Sequence, residues 1–256
     1  MIVDMIYSNY KVASATRQGV AHLSKGIACQ DKVNIVQKED FIFLGLADGA
    51  GSALYCEEAA EFILVRLSIE LDVNRDKYFN SEDTAKNITM YVEYALYTYS
   101  IVHELKFEEL ASTLLCVVLI KDIYLIIHVG DGVIASINQD NELVVASEPE
   151  NDEEFCNYTV FVNTVLAKDR VRVKVGDIQE IKNGVLLCSD GIEGSIFNYQ
   201  TNEMAEVTRT MINWLDAYDE EYVSQALALN LKSNFSKLSS DDLSIIIMKG
   251  IKDESI

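Results

Sequence analysis

Three places in the chain set an aspartate before a glycine: Asp48-Gly49, Asp131-Gly132 and Asp190-Gly191. About one such pair is expected by chance from this composition. Asp-Gly is a favoured hairpin turn, so each pair taken alone reads as a turn. What sets them apart is their context. FIFLGLADG, YLIIHVGDG and VLLCSDG share one shape, an apolar strand that ends in an acid and a glycine. A strand covered on both faces cannot hold an unpaired carboxylate in its middle, because desolvating the charge is too costly. It can present one at its end, where the sheet opens to water. SSDDLSIIIM adds Asp241 and Asp242 just before another apolar strand, and Gln30-Asp31 precedes the strand that begins at Val33. Carboxylates gathered in one cleft repel one another unless a cation lies between them. Oxygen donors without clustered histidine or thiolate favour Mg2+ or Mn2+ over Zn2+ or Cu2+. The glycine after each acid leaves room for a backbone carbonyl or a water to reach an ion. No DxDxDG calcium loop is present.

The elements that must carry these acids follow from hydrophobic spacing. Lys11 to Thr16, Val33 to Gln37 and Phe41 to Ala47 read as strands. Two long helical patterns follow, Leu54 to Leu71 and Glu82 to Leu105, separated by the polar stretch Asp72 to Asp83. Strands return at Thr113 to Ile120, Ile123 to Val129, Val133 to Asn138 and Leu143 to Ala146, with short hairpin turns at Lys121-Asp122 and Asp140-Asn141. Glu148 to Glu154 reads as an exposed acidic loop, and Val160 to Val165, Val171 to Val175 and Val185 to Cys188 as further strands. Amphipathic helices are expected over Asn202 to Ala217 and Glu220 to Leu231, before a last buried strand from Leu243 to Met248. This order lacks the βαβα rhythm of a parallel sheet. It predicts an α+β fold, an antiparallel β-sandwich of two sheets flanked by helix pairs. No internal repeat or linker divides the chain, so residues 1–256 are expected to form one domain.

Composition narrows the function. The chain has 41 acidic and 21 basic residues and a net charge of −20. Such a surface repels phosphate backbones and anionic lipid, which argues against nucleic-acid or membrane-surface binding. The start, MIVDMIYSNYKVAS, lacks the pattern of a signal peptide. The most apolar stretch, Leu110 to Val129, is cut by Lys121 and Asp122 and is too short on either side to span a bilayer. Five scattered cysteines, Cys29, Cys56, Cys116, Cys156 and Cys188, form no CxxC pair. A reduced, cytoplasmic setting is the expectation.

GLADGAGSALYCEEAA, followed in order by ASTLLCVVL, HVGDGVIASI, CSDGIEGS and SSDDLSIII, resembles the metal-dependent PP2C (PPM) serine/threonine phosphatases. GVAHLSKGIACQD and EEFCNYTVFV are most similar to the bacterial-type branch, and the resemblance runs from about Ala13 to Met248. It implies a PP2C-like sandwich and hydrolysis of phosphoserine and phosphothreonine esters with a metal-bridging water as nucleophile. On this resemblance Asp48 would bridge two Mg2+ or Mn2+ ions, and the Gly49 carbonyl would bind one of them. Asp190 and Asp241 would complete the second site, and Asp131, with Asp190, would support a third, weaker ion. Asp31 would hold metal-bound water, giving a catalytic set of Asp31, Asp48, Asp190 and Asp241. Asp242 stands where many members have asparagine, a place from which it would orient its neighbour.

Two departures concern the substrate. Ala50 replaces the histidine that follows the DG in animal members, and the arginine that grips phosphate in many members has no aligned match. Lys25, Arg17 and His22 are the nearby candidates for that contact; a solvated lysine and a backbone-bonded histidine are the alternatives for Lys25 and His22. Ser112 and Thr113 read as structural, and Glu193 is given no role. The implied partners are phosphoprotein substrates of a serine/threonine kinase, and the absence of an exposed heptad seam suggests a monomer. Two other functions remain open: a PP2C-like regulatory or binding module of weak or no activity, and a phosphatase of small phosphorylated metabolites. The retention of Asp48, Asp190 and Asp241 speaks against the module.

Overall fold

A computed structural model of the chain describes residues 10–150, 159–164 and 170–251. Two five-stranded sheets dominate it. In the first, β1 (Tyr10–Arg17), β12 (Leu243–Gly250), β9 (Val185–Cys188), β6 (Val133–Ile137) and β7 (Leu143–Ser147) lie side by side in that order. In the second the order is β2 (Asp31–Lys38), β3 (Phe41–Asp48), β4 (Leu114–Ile120), β5 (Ile123–Val129) and β8 (Arg172–Asp177). Every pairing in both sheets is antiparallel.

The period-2 alternation of strand side chains explains the layering. Along β3, Ile42, Leu44 and Leu46 pack with Ile134, Leu187, Ile246 and Met248 of the first sheet, forming the core between the sheets. The intervening Phe41 and Phe43 point the other way, to Ile63, Leu67, Leu71, Ile88 and Val92. Those residues belong to α2 (Cys56–Val73) and α4 (Thr84–Val102), which cover the second sheet. In β12, Ile245 and Ile247 face Met211, Ile212, Leu215, Val223 and Leu227. These lie on α6 (Val207–Ala217) and α7 (Glu220–Ser233), the cover of the first sheet. Full burial of each such side chain contributes about 1.5–3 kcal/mol, so the central strands are apolar on both faces and their charged residues are confined to the ends.

Short elements complete the chain: α1 (Val20–Lys25), α3 (Arg75–Phe79), α5 (Asp190–Ile196), β10 (Phe197–Asn198) and β11 (Glu203–Met204). Three expectations are corrected. Residues 160–164 form no strand; Phe161 to Thr164 make a turn closed by Thr164 N–H to Phe161 O at 3.0 Å, and Val165 lies outside the described residues. The β-branched run there packs Val160 and Val162 into the helix-side core, with Val162 N–H donating to Ser112 O at 2.9 Å, and forms no strand ladder among the described residues. The helix expected from Asn202 begins at Val207, because Phe197 pairs with Met204 in a small hairpin that occupies the intervening residues. The polar separator between the long helices contains α3, where Arg75 bonds both Asp40 and Asp72. Cys156, the first residues of the chain and positions 151–154 of the acidic loop lie outside the described residues. Among the described residues no helix is long and apolar enough to cross a membrane.

Candidate metal centre

Asp48 is the last residue of β3, opposite Asp31, the first residue of β2. Its backbone is fixed from both sides. Asp48 N–H donates to Thr113 Oγ1 at 2.9 Å, and Thr113 N–H donates to Asp48 O at 2.8 Å. Ser112 forms a single bridge with Gly49, so the Ser112-Thr113 pair is structural, as its sequence suggests. At Gly49 a side chain would meet Cys56 at 2.9 Å, at the start of α2. Asp131 occupies the turn between β5 and β6, flanked by Gly130 and Gly132 at φ 92° and 85°, a left-handed region suited to glycine. Thr159 Oγ1 donates to Asp131 Oδ2 at 2.8 Å.

Asp190 opens α5 immediately after β9. Because β12 runs antiparallel to β9, with Ile245 opposite Cys188, the residues that precede β12 come back beside those that follow β9. Asp241 is thereby returned to the neighbourhood of Asp190. The result is one cleft of about 190 Å³, lined by Asp48, Gly49, Asp131, Asp190 and Asp241 together with His22, Gln30, Ala50, Gly51, Thr159 and Phe161. Asp31 lies below it, 2% exposed, with Oδ2 accepting a 2.8 Å hydrogen bond from Ser189 Oγ.

The electrostatics are those of carboxyls crowded in a low-dielectric place. Burial, reinforced by the charges of Asp131, Asp241 and Asp31, pushes Asp190 up to about 8. Burial also raises Asp31 to about 6. Asp48 is held well above the usual carboxylate range by burial and then by Asp31 and Asp190, and burial raises Asp131 as well. A cation among them favours the ionised forms. Two oxygens ask for such a partner: Asp31 Oδ1 and Asp190 Oδ1 are buried and accept no hydrogen bond from the described residues. Of the described residues, those lining the cleft include four carboxylates, a single histidine and no cysteine, and oxygen groups of this kind suit Mg2+ or Mn2+. Among the described residues no three acidic, histidine or cysteine side chains converge tightly enough to cage an ion by themselves. Spaced carboxylates of this kind fit an ion that keeps several waters, as Mg2+ does. The residues present therefore fit the divalent cations expected from the sequence.

Of the three candidate phosphate contacts, His22 reaches the cleft. Its Nδ1 lies 2.9 Å from Asp242 Oδ2. Asp242 also accepts Gly19 N–H at Oδ1 and Gln30 N–H at Oδ2, each at 2.6 Å. It thus ties the segment entering α1 and the residue before Asp31 to the start of β12, rather than acting on Asp241 alone. Lys25 is exposed at the end of α1, Arg17 closes β1, and neither lines the cleft. Sequence reasoning did not find Ser189 or Thr159 and gave Glu193 no role, because their contacts are made across the fold. Ser189 had a signal in its place before Asp190 in the SDG string, and Glu193 in its place just after that string.

A family model described as Protein phosphatase 2C matches residues 18–232. No curated protein matches the chain. Among solved structures the chain is similar to the catalytic domain of the serine/threonine phosphatase PstP in complex with two manganese ions, at 16% identity and a TM-score of 0.63, covering 95% of this chain and 99% of that one. It is also similar to the serine/threonine phosphatase Stp1 from Staphylococcus aureus, at 17% identity and a TM-score of 0.65, covering 98% of each chain. A third likeness is to PstP/Ppp of Mycobacterium tuberculosis, at 15% identity and a TM-score of 0.62, covering 95% of this chain and 99% of that one. At these identities the likeness is one of fold.

Proposed function

The chain belongs to the protein phosphatase 2C family, and from that premise we propose that it is a metal-dependent serine/threonine phosphatase acting on phosphoproteins. The observation that carries this reading is the convergence of Asp48, Asp131, Asp190 and Asp241, from four separate strand ends, on one cleft. Asp48, the Gly49 carbonyl, Asp190 and Asp241 would hold two Mg2+ or Mn2+ ions, and Asp131 with Asp190 a third. When bound, the ions supply an activated water and neutralise charge on the phosphoryl oxygens.

The protein's own groups do the rest. Asp31 has one oxygen fixed by Ser189 and presents the other, Oδ1, as an acceptor for water at the floor of the cleft. His22, held at Nδ1 by Asp242, lines the cleft and would be the group available to a bound phosphate. Thr159 and Phe161 form part of the cleft wall. Bound cations would favour the ionised carboxylates and offset their charge, so the phosphate dianion is expected to bind the metal-loaded cleft. We place this activity in one domain, as a cytoplasmic monomer that opposes a serine/threonine kinase.

The test is hydrolysis of p-nitrophenyl phosphate by purified protein with Mn2+, with Mg2+ and with EDTA, beside Asp48→Ala, followed by phosphothreonine peptides and a panel of sugar phosphates. Turnover abolished by both EDTA and Asp48→Ala, with peptides preferred, is the expected result. A folded protein inert with both metals is instead the regulatory module, and turnover confined to the sugar phosphates makes it a metabolite phosphatase.

A further inference from the structure

Glu193 is 2% exposed and lies one helical turn after Asp190 in α5. Its Oε2 accepts the N–H of Gly132 at 2.6 Å. Gly132 follows Asp131 in the β5–β6 turn. A single side chain therefore joins the helix that begins at Asp190 to the turn that carries Asp131. The remainder of that turn is gripped from elsewhere: Arg172 Nη2 donates to Gly130 O at 2.9 Å, and His128 Nε2 lies 3.2 Å from Asp131 O. A carboxylate is an awkward occupant of this place. It is buried and feels the like charge of Asp131, and it in turn acts on Asp190. What it offers against that repulsion is a short, charge-assisted hydrogen bond to a backbone N–H.

We propose that Glu193 is a positioning residue that sets the separation of Asp131 from Asp190, and through it the affinity of the divalent-cation site those two carboxylates share. The inference rests on the metal-dependent reading of the cleft. Glu193 acts through Gly132 rather than by touching ion or substrate.

Three variants of the full chain separate the hydrogen bond from packing and charge. Glu193→Met keeps the volume and loses the acceptor, Glu193→Asp is too short to reach Gly132, and Glu193→Gln keeps an oxygen in place. Mn2+ binding is read by calorimetric titration and by the electron paramagnetic resonance signal of free Mn2+, with thermal melting as the check on folding. The Met and Asp variants are expected to weaken the weakest Mn2+ site by about tenfold or more, and Gln to restore it close to wild type. In an Asp131→Ala background, Met is expected to make no further difference. Gln as damaging as Met, a Met effect undiminished without Asp131, or unchanged Mn2+ binding in both the Met and Asp variants overturns the proposal. A wild-type chain that binds no Mn2+ overturns the metal reading itself and this inference with it.

Discussion

Asp242 carries more of the site than its place beside the cleft carboxylate Asp241 suggests. Two backbone N–H groups, of Gly19 and Gln30, depend on its carboxylate, as does the ring of His22. Stranding a buried donor costs about 1–3 kcal/mol, so Asp242→Ala is expected to lower stability by at least about 2 kcal/mol in urea unfolding. Asp242→Asn keeps one acceptor oxygen and is expected to fall between the two, with a raised KM because His22 loses its fixed orientation. The strand-end acids were legible in the sequence because the rule that exposes them is local: a carboxylate flanked by an apolar run must stand at the run's end. The partners of those acids were not legible. Ser189 meets Asp31 from 158 positions away and Thr159 meets Asp131 from 28, and nothing in the neighbouring residues announces either contact.

At the scale of elements, α5 and β12 approach so closely that Gly191 has no space for a side chain. A Cβ there would lie 2.0 Å from the carbonyl oxygen of Asp242. Overpacking of this kind costs about 1–3 kcal/mol, and relief requires the start of β12 to move, taking Asp241 with it. Gly191→Ala is therefore expected to lower both the melting temperature and the Mn2+ affinity, read by calorimetry and by metal titration; a loss of stability with unchanged affinity would separate the two elements. The long helices and the central strands were readable because each buries a periodic apolar face. Helix α1 buries none of its residues and so leaves no periodic trace. Helix α5 is hidden in the string that also reads as an Asp-Gly turn. The β-branched residues around Val160 and Val162 mimic a strand, yet their burial comes from packing beneath the helices.

For the molecule as a whole, the raised carboxyls link folding to pH. Asp31, Asp48, Asp131 and Asp190 hold protons in the folded state at pH values where an unfolded aspartate, near about 3.9, has lost its own. The folded chain then binds more protons than the unfolded one between that value and about 8, the level reached by Asp190. Metal-free stability accordingly falls as pH rises through this window, and the self-repulsion of a chain of net charge −20 acts in the same direction. Cations bind the ionised ligands, so their stabilising effect grows over the same window. Thermal melts from pH 5 to pH 8 are expected to show the midpoint in EDTA descending while the gap to the Mn2+-loaded protein widens; a rising midpoint in EDTA would contradict the assignment. Asp48 ends a strand of one sheet, whereas Asp190 and Asp241 flank strands of the other. Cations held between them, as proposed, would act as pins through a seam. A slide of one layer over the other by a single residue, about 3.3 Å, would carry the acids out of common reach, so on the proposed reading chelation is expected to lower the sandwich's resistance to shear before any strand comes apart.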